Sequence, residues 1–356
     1  MPSLVRSEMC IRDRGVDFDM VLIRKEGPYI NQLPSGINLV DLQAKHTSSG
    51  LFALSRYLRR FSPEVVLSAM NYANVVILLA KRLARVKTRI VISEHNPFSF
   101  WIKDPPNLRT RLMLRGLMRI TYLKADAIVT VSRGVADDLV NSIGVPKEKI
   151  KVIYNPIRLD DILAKAKEPM DHPWFRSEEP VILSVGRLHP HKDYPTLLRA
   201  FSLVRAKVKA RLVILGEGEE RPRLASLAKK LNIAEDVDTP GFVENSYKFM
   251  ASSKVFVLSS RVEGFSNVLL EAITCGCSVV ATDCPSGPKE ILEETGVGRL
   301  VPVGDPESLA DAIMEAIQKG EKNKPNLRPF LLENVVKQYM ETLSLIHISE
   351  PTRLGM

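Results

Sequence analysis

Short runs of aliphatic and β-branched residues alternate along the chain with stretches of helical period. Phe18-Asp19-Met20-Val21-Leu22-Ile23, Val65-Val66-Leu67-Ser68-Ala69, Arg89-Ile90-Val91-Ile92-Ser93 and Ala127-Ile128-Val129-Thr130-Val131 are four such runs. Amphipathic stretches from Leu51 to Arg60 and from Asn74 to Ala84 lie between them. Apolar runs this short, separated by helices, predict parallel strands covered on both faces. The pattern restarts at Pro180-Val181-Ile182-Leu183-Ser184-Val185-Gly186. It continues through a helical stretch from Thr196 to Lys207 and the runs Arg211–Gly216, Val255–Leu258 and Ser278–Thr282. The fold class expected is α/β, with two Rossmann-like doubly wound domains. Ligands of such sheets bind outside the carboxyl ends of the strands, so a cleft between the domains is the expected site.

The boundaries follow composition. The first domain is placed at 15–160 and the second at 180–320. A linker is placed at 161–179, within a polar, proline-bearing stretch from Ile157 to Glu179. A last helix at 321–342 is expected to pack back toward the first domain. The 356 residues suit two domains, and an apolar content of 45% excludes a disordered chain. Four cysteines, three of them (Cys275, Cys277, Cys284) within ten positions, are no disulfide scaffold and suggest a reducing compartment. No apolar run is long enough to span a membrane, and the first fourteen residues carry three Arg and no signal-peptide core.

Both ends look foreign. Ser7-Glu8-Met9-Cys10-Ile11-Arg12-Asp13-Arg14 and Leu343-Ser344-Leu345-Ile346-His347-Ile348-Ser349-Glu350 resemble the two strands of one translated sequencing adapter. Residues 1–14 and 343–356 are therefore set aside.

The strongest chemical constellation is Glu263-Gly264-Phe265-Ser266-Asn267-Val268-Leu269-Leu270-Glu271. It follows a strand and opens a helix. Exposed N–H groups at a helix N-terminus favour an anionic or hydroxyl-rich ligand, and Gly264 lets backbone approach it. Glu271, two turns in, can grip a vicinal diol. The competing reading is an ordinary amphipathic helix with acids at its start.

Here a resemblance becomes specific. Glu263 to Glu271 resembles the E-x7-E motif of GT4-type retaining glycosyltransferases of the GT-B fold, the glycosyl transferases group 1. Val185-Gly186-Arg187-Leu188-His189-Pro190-His191-Lys192-Asp193 resembles that family's "GRL…KG" loop. Val213 to Glu219 resembles its G-x-G turn, Thr239-Pro240-Gly241-Phe242-Val243 its "GF" segment, and Ala281 to Glu290 its "TDCPSGP" stretch. Val152 to Ile157 resembles its interdomain strand end. The likeness runs from about Leu51 to Met340, in order.

The resemblance implies roles. Gly186, Arg187 and Lys192 would hold the pyrophosphate of a nucleotide-sugar donor, as two cations at a strand-to-helix turn suit an anion; a solvated surface pair is the plainer reading. Glu271 would bind ribose hydroxyls. Glu263 would stand by the donor sugar and leaving phosphate. Gly264, Phe265, Ser266, Asn267 and Val268 would offer backbone to sugar and phosphate, and Gly241, Phe242 and Val243 would line the base. His95, after a strand in the first domain, would face the donor sugar; otherwise it is a structural histidine. His95 and Glu263 are the expected catalytic pair. No metal and no further cofactor is implied. The expected donor is a UDP-sugar.

Three motifs compete and are read as structural. Asp17-Phe18-Asp19 matches a metal-binding DxD but lies on a strand. His189-Pro190-His191 lacks partners at zinc-ligand spacing. Cys275-Gly276-Cys277 falls at a helix end, where Gly276 suits a cap. Ser132 is expected to cap the helix that follows it.

Charge points to the acceptor. Net charge is +9, and the segment 81–124 carries eleven basic residues against two acids. They are Lys81, Arg82, Arg85, Lys87, Arg89, Lys103, Arg109, Arg111, Arg115, Arg119 and Lys124, against Glu94 and Asp104. Leu112, Met113, Leu114, Leu117 and Met118 interleave with Arg111, Arg115 and Arg119. This reads as a basic amphipathic helix for an anionic membrane surface, or else as a solvated helix face. No nucleic-acid module is visible. The expected function is transfer of a sugar, with retention, to a lipid-linked or surface-glycan acceptor of the lipopolysaccharide or capsule type. The expected location is cytoplasmic, on the inner face of the cell membrane. A non-catalytic nucleotide-sugar-binding fragment and a UDP-sugar epimerase stay open as alternatives. Family members begin with a strand, a Gly-rich loop and a helix. Nothing before Phe18 supplies these, so about 30 residues, one βα unit, are expected to be missing.

Overall fold

A computed structural model describes residues 18–26, 30, 37–101, 108–320 and 323–344. The end peptides expected to be foreign lie outside these residues, except Leu343 and Ser344, which close the last helix. Asp17 and Lys103 also lie outside them. The chain divides into two compact units. One joins the residues up to Pro156 with those from Leu332 onward; the other is Ile157–Leu331.

The first unit opens with a parallel pair, β1 (Asp19–Leu22) and β2 (Asn38–Asp41). There follow α1 (Gly50–Phe61), β3 (Val65–Ala69), α2 (Asn71–Ala84), β4 (Arg89–Glu94), α3 (Phe98–Trp101), α4 (Leu108–Thr121), β5 (Ala127–Thr130), α5 (Arg133–Ile143) and β6 (Ile150–Val152). Strands β3 to β6 pair in sequence order, all parallel. Side chains alternate across the sheet. Ile90, Ile92 and Ile128 face a core with Leu58, Leu78 and Met118, while Val91 and Val129 face the other side. Ser132 caps α5, its Oγ accepting from the Val135 N–H at 3.1 Å.

The second unit runs α6 (Leu159–Ala166), β7 (Val181–Val185), α7 (Tyr194–Arg205), β8 (Arg211–Leu215), α8 (Arg221–Lys230), β9 (Val237–Gly241), α9 (Tyr247–Ser252) and β10 (Val255–Leu258). It closes with α10 (Asn267–Thr274), β11 (Ser278–Thr282), α11 (Pro288–Thr295), β12 (Arg299–Val301) and α12 (Pro306–Lys319). Its six parallel strands are ordered β9-β8-β7-β10-β11-β12. The chain thus builds outward from β7 in one direction, then returns to lay β10 on the other side of β7. That reversal is the topological switch point, where ligands of such sheets bind. From Leu332 the chain rejoins the first unit as α13 (Leu332–Ser344), whose Val335, Val336 and Tyr339 cover Val91, Val129 and Ile153.

Two expectations change. The stretch 161–179, read as a linker, is a structured part of the second unit. His172 Nε2 lies 2.8 Å from Asp238, the rings of Phe175 and Phe249 meet edge to face, and Arg211 stacks over Trp174 at 5.1 Å. Two aromatic anchors in a polar segment were enough to dock it. The helix of the basic segment is also less exposed than its sequence suggested. Leu114 and Met118 are core residues, and the outward stripe is Leu112, Met113, Ile120 and, beyond the helix, Leu123. Lys81 is engaged by Asp126 at 3.0 Å and Arg115 by the Ser142 carbonyl at 2.9 Å.

Candidate functional site

The switch point is built from two turns that leave neighbouring strands. After β7 come Gly186 and Arg187, then a short 3-10 turn over Pro190–Lys192 and the start of α7. After β10 come Ser259, Ser260, Arg261 and Glu263, then α10. Lys192 and Glu263 meet here, Nζ to Oε1 at 2.6 Å, with side-chain exposures of 23% and 11%. Ser260 Oγ donates to the same carboxylate oxygen at 2.7 Å, and Ser259 Oγ to the Lys192 carbonyl at 2.7 Å. Lys192 is therefore a positioned cation at a strand end, not a solvated one. Arg261 reaches across to Asp193 at 2.9 Å and donates its N–H to the His191 carbonyl, so both turns are joined by backbone and charge.

The loop 284–288 supports the second turn from below. Ser286 Oγ donates to the Glu263 carbonyl, and Gly287, at φ +91, brings its backbone against Phe265 and Ser266. A Cβ there would stand 3.1 Å from Phe265 Cα. Gly264, Phe265 and Ser266 are buried, while Asn267 and Val268, which open α10, are half-buried. Ser266 Oγ is one of three buried side-chain atoms among the described residues with no hydrogen-bond partner. A buried hydroxyl left unmatched at a helix start is a place where a ligand's polar group is favoured. One turn further, Glu271 accepts from Tyr247 Oη at 3.4 Å.

Arg187 stands apart from the Lys192–Glu263 pair. It is exposed and meets Glu219 at 3.2 Å. The backbone of Gly186 is locked to β8 by its N–H to the Leu215 carbonyl at 2.9 Å. Gly241 ends β9, its carbonyl accepting from the Gly216 N–H at 2.8 Å. Beyond it Phe242 presents an 80% exposed ring and Val243 is half-buried. Sequence reasoning did not find Ser260 or Tyr247, and met Ser286 only as a member of the "TDCPSGP" stretch, without a role. A serine three positions before a glutamate was a weak signal for the first, and Tyr247 had none.

His95 belongs to the first unit, just past β4. Its Nε2 lies 3.1 Å from Ser93 Oγ, and burial lowers its pKa to about 4. Beside it Glu94 is buried, and its pKa is raised to about 7 by that burial, although Tyr122 Oη and Asn74 Nδ2 (2.8 Å) both donate to it. Near pH 5.5 burial thus favours a neutral Glu94 and a neutral His95 in the folded chain, where an unfolded chain carries both charged. Sign by sign, the lowered histidine loses stability as pH falls from about 6.5 to 4, and the raised glutamate loses it as pH rises from about 4.5 to 7. The two slopes cancel between them. Glu94→Gln should expose the histidine slope, on the order of 1 kcal/mol per pH unit. Urea unfolding at pH 5 and 6.5 checks this: the variant should weaken toward pH 5 relative to the native chain. A parallel response would contradict the pairing.

The three motifs read as structural have structural partners. Asp19 accepts from Tyr57 Oη and Asn38 Nδ2, each at 2.7 Å. His189 Nδ1 accepts from the His191 N–H at 3.2 Å. Burial pushes the thiols of Cys275, Cys277 and Cys284 up to about 12.

Comparison with known proteins identifies the family. The family model of glycosyl transferases group 1 matches residues 167–326, and that of glycosyltransferase family 4 matches residues 10–161. The N-acetylgalactosamine-N,N'-diacetylbacillosaminyl-diphospho-undecaprenol 4-alpha-N-acetylgalactosaminyltransferase of Campylobacter jejuni is 36% identical over 272 residues, covering 75% of this chain and 72% of that one. The lipopolysaccharide core biosynthesis glycosyltransferase LpsE of Rhizobium meliloti is 32% identical over 200 residues, and the chain spans just over half of its length, 56%. Anabaena HepE, solved in complex with UDP, shares the fold with a TM-score of 0.76 at 20% identity, over 97% of this chain and 95% of that one. The chain belongs to the GT4-type glycosyltransferases of the GT-B fold.

Proposed function

We propose that this glycosyltransferase moves a sugar from a UDP-sugar to a lipid-linked or surface-glycan acceptor, with retention at the anomeric carbon. The observation that carries the reading is the Lys192–Glu263 pair at the switch point, beside the N-terminus of α10. Lys192, Arg187 and the α10 N–H groups stabilise the departing diphosphate, and Glu271 holds the ribose. Gly241, Phe242 and Val243 line the base, and His95 serves the reacting sugar. The bond from the anomeric carbon to phosphate oxygen breaks, the bond to the acceptor oxygen forms on the same face, and the acceptor proton passes to the leaving phosphate. The Campylobacter relative's undecaprenol-linked acceptor and the neighbour's bound UDP favour these substrate classes.

The test is thermal stabilisation of the chain by UDP, GDP and ADP. A hundredfold excess over Kd contributes about 2.7 kcal/mol to the folded state, a shift of several degrees. UDP should give it, and Glu271→Ala should lose it. No shift with any of the three would remove the donor-site reading.

The acceptor side is proposed to work at an anionic bilayer. Among the described residues no helix is long and apolar enough to cross a membrane. The outward stripe of Leu112, Met113, Ile120 and Leu123 is flanked by Arg109, Arg119 and Lys124, an arrangement that suits an interfacial helix. Sedimentation with phosphatidylglycerol vesicles should be strong and salt-sensitive, and several-fold weaker for Leu112→Ser/Ile120→Ser. Equal sedimentation of the variant, or of the native chain with phosphatidylcholine, would count against it.

A further inference from the structure

We propose that Arg221 is a positioning residue for the donor nucleotide: it fixes the span between the phosphate loop 186–192 and the base-lining segment 241–243. The inference rests on the donor-site reading above and goes beyond it, because Arg221 itself touches neither loop's ligand face.

The geometry starts from a break in the sheet. The β8–β9 ladder pairs Leu212 with Val237 and Val213 with Asp238, then slips, so that Leu215 next pairs with Gly241. Thr239 and Pro240 fall in the slip. Pro240 has no N–H to give a ladder, so between Asp238 and Gly241, where the Gly216 N–H takes up the Gly241 carbonyl at 2.8 Å, the sheet leaves Thr239 and Pro240 unladdered.

Arg221 takes the place of the missing ladder. Its Nη1 donates to the Thr239 carbonyl at 2.9 Å and to Thr239 Oγ1 at 3.0 Å. Its Nε and Nη2 clasp the Glu217 carboxylate at 2.9 and 2.7 Å, and Nη2 also reaches the Gly216 carbonyl at 3.3 Å. Five acceptors thus match the five N–H groups of one guanidinium. The turn it grips is itself seated on the phosphate loop. The Leu188 N–H donates to the Glu217 carbonyl at 2.9 Å, and the Glu220 N–H to the Leu188 carbonyl at 3.1 Å. One planar side chain therefore ties the 216–217 turn to Thr239, and backbone bonds from that turn carry the tie on to Leu188 in the phosphate loop. A nucleoside diphosphate must touch the phosphate loop and the base-lining segment at once, so its fit depends on the distance between them. Lysine offers a point charge and three donors, and cannot reproduce the fork.

Calorimetric binding of UDP and of inorganic pyrophosphate to the full chain tests this, with Arg221→Gln, Arg221→Lys and Glu217→Ala. The expected result is a loss of UDP affinity of about tenfold in both Arg221 variants, as preorganisation is lost, with pyrophosphate affinity within about twofold of native. Should Arg221→Gln fail to fold, Glu217→Ala carries the same comparison. Native UDP affinity in a folded variant would overturn the proposal. So would an equal loss for pyrophosphate, since that places the effect at the phosphate loop alone. A native chain that binds no nucleoside diphosphate fails the donor-site reading instead, and is told apart because no variant is needed to see it.

Discussion

Lys192→Ala should bind UDP about a hundredfold more weakly than the native chain. A charge-assisted hydrogen bond to a phosphate contributes about 1.5–3 kcal/mol, and this one is presented by a lysine already held in place. The same substitution should also weaken the fold. Glu263 keeps only 11% side-chain exposure and loses its cation, retaining the Ser260 hydroxyl as a donor. A buried charge stripped of its partner costs about 3–5 kcal/mol; solvent reaching this pair reduces the expected figure to about 2 kcal/mol. The two effects separate in the double variant. Lys192→Ala/Glu263→Gln removes the stranded charge, so stability should return most of the way while UDP affinity stays low. Urea unfolding and calorimetry on the three chains read both. Recovery of UDP affinity in the double variant would show that Lys192 serves the fold and not the ligand.

Gly216→Ala should be among the most damaging single changes in the second unit. Its φ is +145, and a Cβ would lie 2.0 Å from the Gly186 carbonyl oxygen, a backbone atom with no freedom to move aside. Backbone strain alone costs about 1–3 kcal/mol, and the clash forces the 186–188 and 216–218 turns apart, so a loss of about 4 kcal/mol or more is expected. Gly276→Ala is the control. That glycine also has positive φ, at +81, but nothing lies within 4 Å of its missing Cβ, so only about 1 kcal/mol should be lost. Denaturant midpoints of the two variants should differ clearly; similar midpoints would mean that the turns do not pack as described. Because Gly216 also seats the loop carrying Gly186 and Arg187, the first variant should lose UDP binding along with stability.

Much of the fold could be read from local pattern. The strands at 65–69, 89–94, 181–185 and 255–258 are short apolar runs bounded by helices, and their type follows from period and β-branching. The pair β1–β2 was half visible: Asp19–Leu22 sits in an apolar run, but Asn38–Asp41 carries polar residues at both ends and gave no signal. The docking of 161–179 was hidden for a similar reason. Average polarity there is high, and His172, Trp174 and Phe175 find their partners Asp238, Arg211 and Phe249 far along the chain. The basic helix shows the limit of pattern in another way. Five apolar side chains interleave with arginines, and only packing decided that Leu114 and Met118 turn inward while Leu112 and Met113 stay outside.

By itself the sequence determined the family, the α/β class and the local placement of the motifs proposed to hold the donor. These depend on spacings within a few turns: Glu263 to Glu271 from one turn into the helix it opens, Gly186 to Lys192 around one loop, Gly216 to Gly218 in one turn. Only the tertiary structure decided which of those motifs meet. Lys192 and Glu263 are 71 positions apart, Arg221 reaches Thr239 across a slipped ladder, and burial raises the pKa of Glu94 against the opposing hydrogen bonds from Tyr122 and Asn74. Parallel strands are never paired by the turn that follows them, so each neighbour in the sheet is chosen by long-range closure. The order β9-β8-β7-β10-β11-β12 brings two turns together at the switch point, and residues that share no local pattern become one site.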